Sequence, residues 1–183
     1  VRSVDGPFMG RFADLDPQEN TVALHGIDEN TVEALWLLDL RRAVVSRLTA
    51  STASNQRPIW SADGKNIAFY SNRAGAYDIY SRPAATAGAE ELLVQSPYPK
   101  AADAFSPDGK FLLYTEDHPE TNGDIWHLPL TGDRKPVPYI KSRFDELWPR
   151  FSRVPDARGR HWFVYLSNRT GAFEVYLRPF LPG

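Results

Sequence analysis

The 183-residue chain contains no cysteine. That excludes disulfides, thiolate zinc sites and cysteine nucleophiles, and fits a reducing or an oxidising compartment alike. A basic block is also missing. Lys and Arg number 21 against 23 Asp and Glu, a formal net charge of −2, so an electrostatic grip on nucleic acid is not indicated. No apolar run approaches the roughly 18 residues of a membrane-spanning helix, and the N-terminus lacks a positive segment followed by an apolar one. The expectation is a soluble chain without membrane insertion, from which an upstream targeting segment could have been removed. Neither a Gly-x-Ser-x-Gly elbow nor a His-Glu-x-x-His pair occurs.

What is present is globular in character. A content of 42% hydrophobic and 13% aromatic residues suits a packed core rather than disorder. Fifteen prolines and twelve glycines fall at short intervals, which predicts many short elements joined by turns. The segment SNRAGAYDIYSRP at 71–83 returns as SNRTGAFEVYLRP at 167–179. It belongs to a longer repeat. Phe12, Trp60, Phe105 and Phe151 open four units spaced 48, 45 and 46 residues apart. Each is followed by a second anchor (TVAL at 21, NIAFY at 66, FLLYT at 111, WFVYL at 162) and an aromatic third (ALWLLDL at 34, DIYSRP at 78, DIWHLPL at 124, EVYLRP at 174). A fourth apolar piece follows in three of them: VVSRLTA at 44, ELLVQS at 91 and VPYIK at 137.

Four strands per unit of about 45 residues is the period of a propeller blade. The fold class expected is all-β, with four four-stranded antiparallel blades in one domain over residues 1–183 and repeats at about 8–50, 55–96, 101–141 and 146–183. Asp63-Gly64 and Asp108-Gly109 supply tight turns, and Pro136 and Pro138 place the fourth strand at a sheet edge. Residues 30–50 contain no Gly or Pro and have apolar residues at helical spacing, so taken alone they read equally as helix. The repeat register instead sets Trp36 level with Tyr80, Trp126 and Tyr176 and makes the Arg41-Arg42-Ala43 step a turn.

The runs WSADGKNIAFYSNRAGAYDIY and FSPDGKFLLYTEDHPETNGDIW resemble the WD-repeat-like units of TolB-like β-propellers. The phrases LLDL, SRLT, EELL, GDRKPVP and VYLRPF are similar to propeller regions attached to bacterial serine/threonine kinases, although no kinase motif occurs here. The resemblance covers nearly the whole chain. It implies a non-enzymatic scaffold that binds a protein segment or small ligand, without a cofactor; the alternative is a propeller enzyme, a carbohydrate lyase or hydrolase. It also hints at the periplasm. Units one (ADLDPQEN) and four (SRVPDARGRH) depart from the Asp-Gly turn, so turns of different shape are expected there.

The last unit has no residues left for a fourth strand, while residues 1–4 align with an outer strand. Three closures are open: a four-bladed ring, a fragment of a longer polypeptide, or an eight-bladed ring in which a homodimer exchanges residues 1–4.

His25, His118, His127 and His161 fall at non-equivalent places and read as packing or surface residues rather than a metal ring. The acidic stretch with Glu116, Asp117, His118, Glu120 and Asp124 lacks the spacing of a calcium loop and reads as a solvated hairpin turn. Asn168-Arg169-Thr170 matches a glycosylation acceptor but is repeat sequence. Trp60, Phe105, Phe151, Tyr80 and Trp126 sit at repeated core positions. The binding candidates are residues that break the repeat near the start of each unit, in channel-mouth connections: Asn55, Arg57, Lys100, Asp103, Glu146, Trp148 and Arg150. No catalytic or metal residue is assigned.

Overall fold

The computed structural model describes residue 6 and residues 8–85 and 88–181. The outer strand expected at residues 1–4 lies outside the described residues. Among those described there is no helix; every regular element is a strand. The chain forms two compact units, Val1–Gln95 and Ser96–Gly183, each holding two antiparallel sheets.

In the first unit, β1 (Phe8–Leu15), β2 (Thr21–Asp28), β3 (Glu33–Asp39) and β4 (Val44–Arg47) pair in chain order. So do β5 (Asn55–Trp60), β6 (Asn66–Ala74), β7 (Ala76–Pro83) and β8 (Glu91–Val94). The second unit repeats this with β9 (Lys100–Phe105), β10 (Phe111–His118), β11 (Asn122–Pro129) and β12 (Val137–Ile140). Its other sheet has three strands among the described residues: β13 (Glu146–Phe151), β14 (Trp162–Ser167) and β15 (Glu174–Pro179). The segment that scanned equally as helix is the β3–β4 hairpin, turned at Ala43 with φ of 54°. Pro138 faces Trp126 from the edge strand β12, where its missing N–H costs no ladder bond.

The turn joining the first two strands has a common closure in all four sheets. Gly64 N donates to Ser61 O at 2.9 Å, Gly109 N to Ser106 O at 2.8 Å, Glu19 N to Asp16 O at 3.0 Å and Gly159 N to Asp156 O at 2.9 Å. The first turn has the length of the middle pair and differs in its side chains, whereas the last differs in shape as expected: residues 152–161 join β13 to β14 where residues 61–65 join β5 to β6. In the middle pair Asp63 and Asp108 accept from Ser61 Oγ at 2.7 Å and Ser106 Oγ at 2.6 Å. In the outer pair the aspartate stands at the serine's position and accepts backbone N–H groups itself, Asn20 N at 2.6 Å on Asp16 and Arg160 N at 3.0 Å on Asp156.

Strand periodicity decides the cores, because alternate side chains point to opposite faces. In the first unit, Ala23, Leu35 and Leu48 meet Trp60, Ile67, Phe69 and Tyr80. In the second, Leu113, Ile125 and Ile140 meet Phe163 and Tyr165, with Phe151 and Tyr176 half-buried against them. Trp60 and Tyr80 are core as expected, whereas Phe105, Phe151 and Trp126 are only half-buried. The last sheet differs in one respect. Val175 on β15 is 69% exposed, while Ile79 at the equivalent place on β7 is fully buried.

Each first strand carries one residue more than its partner opposes, a β-bulge. It lies between Gly10 and Phe12, Gln56 and Ile59, Ala102 and Ala104, and Leu147 and Arg150. In β5 and β13 the bulge holds Arg57-Pro58 and Trp148-Pro149.

Candidate functional site

The repeated segment explains the ends of two first strands. Arg73 lies over Phe69 and Tyr80, donates Nε to Ser71 Oγ at 3.1 Å and Nη2 to Asn55 Oδ1 at 2.7 Å. Arg169 lies over Tyr165 and Tyr176, donates Nε to Ser167 Oγ at 3.1 Å and Nη2 to Glu146 at 3.1 Å. Asn72 Oδ1 accepts from Ser54 N at 3.0 Å, and Asn168 Oδ1 from Asp145 N at 3.0 Å. The motif is thus a brace. It ties the β6–β7 and β14–β15 hairpins to the residues where β5 and β13 begin.

Five of the seven sequence candidates are engaged inside the fold. Asn55 and Glu146 are fully buried and hold the two braces, Asn55 donating Nδ2 to Ala53 O at 2.7 Å and Glu146 accepting from Ser142 Oγ at 3.0 Å. Lys100 is buried, its ammonium turned to the carbonyl oxygens of Ser96 and Tyr98. Asp103 is buried and accepts from Thr115 Oγ1 at 2.6 Å. Arg150 is half-buried and donates to the carbonyl of Asp103. These five are conspicuous in sequence because each breaks the repeat at the first strand, and the break reflects different internal partners.

Arg57 and Trp148 are of another kind. Both adopt left-handed backbone, φ of 45° and 54°, directly before a proline. That conformation is strained for any side chain with a Cβ, and it re-aims the bulged residue. Arg57 is half-buried, with its guanidinium 5.5 Å from the Phe12 ring centre. Trp148 is 51% exposed and makes no hydrogen bond or ring contact with the described residues, whereas Trp36 and Trp60 are buried.

Two polar groups were not evident from sequence. In the first unit Glu33 accepts from Ser54 and Gln56, with His25 Nε2 3.7 Å away; Tyr70 donates to Gln56 Oε1 at 2.9 Å. Burial holds the His25 imidazole below its ordinary pKa, opposed by Glu33 and aided by Arg11 and Arg57. Its Nε2 is closed off from solvent and has no hydrogen-bond partner. In the second unit a depression of about 470 Å³ is bounded by Tyr98, Asp117, His118, Gly123 and Asp145. The stretch read as a solvated turn supplies three of those residues, Asp117, His118 and Gly123, but Tyr98 and Asp145 come from distant connections. Among the described residues no group of three or more His, Asp or Glu side chains is placed to hold a metal ion.

Residues 11–153 match the model of the TolB beta propeller domain. The chain belongs to that family. In keeping with this, TolB from Acinetobacter baumannii superposes with a TM-score of 0.66 at 18% identity, over 97% of this chain and 44% of its own. A putative TolB from Agrobacterium tumefaciens gives 0.62 at 18% identity, over 98% of this chain and 61% of its own. An oligogalacturonate lyase from Vibrio parahaemolyticus gives 0.59 at 11% identity, over 94% and 55%. These likenesses are of fold, and the TolB domain described here spans less than two thirds of each of these chains. Among curated proteins none matches in sequence.

Proposed function

We propose that this TolB-family chain is a binding scaffold for a protein segment, with Trp148 on the β13 bulge as its principal contact. The observation that carries this reading is the strained, exposed and unpartnered Trp148. Folding gains nothing from displaying a large ring on left-handed backbone, and aromatic anchors are what recognition surfaces retain. Arg57 occupies the same bulge in the first unit, but its guanidinium is engaged on the Phe12 ring. The inaccessibility of His25 Nε2 beside Glu33 favours binding over acid–base chemistry at that pair.

A random peptide library selected on the immobilised protein tests the reading without assuming a sequence. Enriched peptides should lose binding to Trp148→Ala while that variant keeps its circular dichroism spectrum. Enrichment that is indifferent to Trp148 would remove the assignment.

A homodimer is a further part of the proposal. It is supported by the exposed Val164, Val175 and Leu177 on the last sheet. Light scattering that gives the mass of one chain at micromolar concentration would eliminate it.

A further inference from the structure

The depression in the second unit extends this peptide-binding reading, on which it rests, to the chemistry of the bound segment. Its floor is shaped by Gly123. A Cβ there would stand 2.3 Å from Leu147 Cδ2, so Leu147 packs directly on the glycine and no side chain rises from that point. The rings of Tyr98 and His118 meet edge-on with centroids 4.5 Å apart along one wall.

The charge around the hollow is of one sign. Asp117 and Asp145 both line it, and no Lys or Arg does. The Asp145 carboxyl accepts from neutral donors, Asn168 Nδ2 at 2.7 Å and Gly123 N at 3.3 Å. The Asp117 side chain makes no hydrogen bond or ion pair with the described residues. Burial and the nearby Asp145 together push its carboxyl above the ordinary range, and no cation offsets them. The nearest ammonium in sequence, Lys100, is turned to the Ser96 and Tyr98 carbonyl oxygens. An aromatic wall beside two carboxylates is what a cationic side chain needs, since it gains both charge-assisted hydrogen bonds and a ring face.

We infer that this depression is a socket for one basic side chain, arginine or lysine, of the segment that rests on Trp148. Asp145 and Trp148 are three residues apart in the chain, so their Cα atoms lie within roughly 11 Å of each other, a separation that one extended peptide can bridge.

The probes are N-acetyl-arginine amide and N-acetyl-norleucine amide, titrated into the isotope-labelled full chain and followed by backbone amide NMR. The arginine compound should shift the Asn122 and Gly123 signals saturably, and the norleucine compound should not. Asp117→Asn should weaken the arginine compound by about fivefold, the size expected of a partly exposed ion pair, and added salt should act in the same direction. Asp117 is exposed, so its amide retains the fold, and a thermal melt verifies this. Equal responses to both probes, no saturable response, or an unchanged Asp117→Asn would overturn the socket. Selected peptides that need Trp148 but carry no basic residue would overturn it while leaving the binding scaffold standing. Loss of Trp148 dependence with a retained arginine response would do the reverse.

Discussion

Arg169 lies over Tyr176 with its guanidinium carbon 4.3 Å from the ring centre, and the same arm reaches the fully buried carboxylate of Glu146. Arg73 repeats this over Tyr80 at 4.2 Å, but there the buried partner is the neutral Asn55. Arg169 therefore neutralises a fully buried carboxylate, whereas the carboxylate paired with Arg73, Glu90, is only part-buried and is shared with Arg82.

That contrast sets the first prediction. Arg169→Met should cost about 2–3 kcal/mol, because it strands a buried carboxylate; the arginine side chain is 37% exposed, which keeps the loss from being larger. Glu146→Gln added to it should restore part of the stability. Arg73→Met should cost less, about 1–2 kcal/mol, from its hydrogen bonds to Ser71 and Asn55 and the ring contact, because the part-buried Glu90 that it also pairs with keeps Arg82 as a partner. Urea unfolding of the three variants checks the order.

Backbone strain at Trp148 separates two substitutions that remove the same ring. Trp148→Gly should be more stable than Trp148→Ala by about 1 kcal/mol, since only glycine takes φ near 54° without a Cβ clash. Equal denaturation midpoints would show that the bulge carries no strain.

Gly171, at φ of 98°, closes the hairpin of the repeated segment through its N–H to Asn168 O at 2.9 Å. A Cβ at Gly171 would meet nothing within 4 Å, so the cost of Gly171→Ala is conformational alone, about 1–2 kcal/mol. Trp60→Ala should cost about 3–5 kcal/mol by opening a cavity in the first core. Thermal melts distinguish the two magnitudes.

Stability should fall in mild acid. Burial depresses the His25 and His127 pKa values below 6.5, and His127 sits among Phe111, Tyr139 and Phe180. The unfolded chain then binds protons that the folded chain refuses, so stability is lost as pH drops below 6.5 toward the depressed values. A second loss follows below 3.8, where hydrogen-bonded carboxylates such as Asp63 and Asp156 must be protonated. The melting temperature measured from neutral pH downward should show both, and His127→Leu should flatten the first.

Much of the architecture was legible because a period repeated four times is hard to mistake. Trp36 aligned with Tyr80, Trp126 and Tyr176, and this outweighed the helical spacing of residues 30–50, which are the β3–β4 hairpin. The candidate site was far less legible. Asn55, Lys100, Asp103 and Glu146 break the repeat as a binding residue would, yet their partners are internal. Residue type does not reveal burial when the partner lies in another strand, as with Arg169 and Glu146, 23 residues apart.

The sequence by itself determined the all-β repeat, the turns and the alternation that selects each core face, since these depend on residues a few positions apart. Only the tertiary structure decided which polar residues are spent. Arg57 and Trp148 owe their left-handed backbone to bulges set by pairing with β6 and β14. Asp117 and Asp145 share one hollow because the β10–β11 turn and the lead into β13 converge on it. The arginines of the repeated SNR segment hold the scaffold on which any site is displayed.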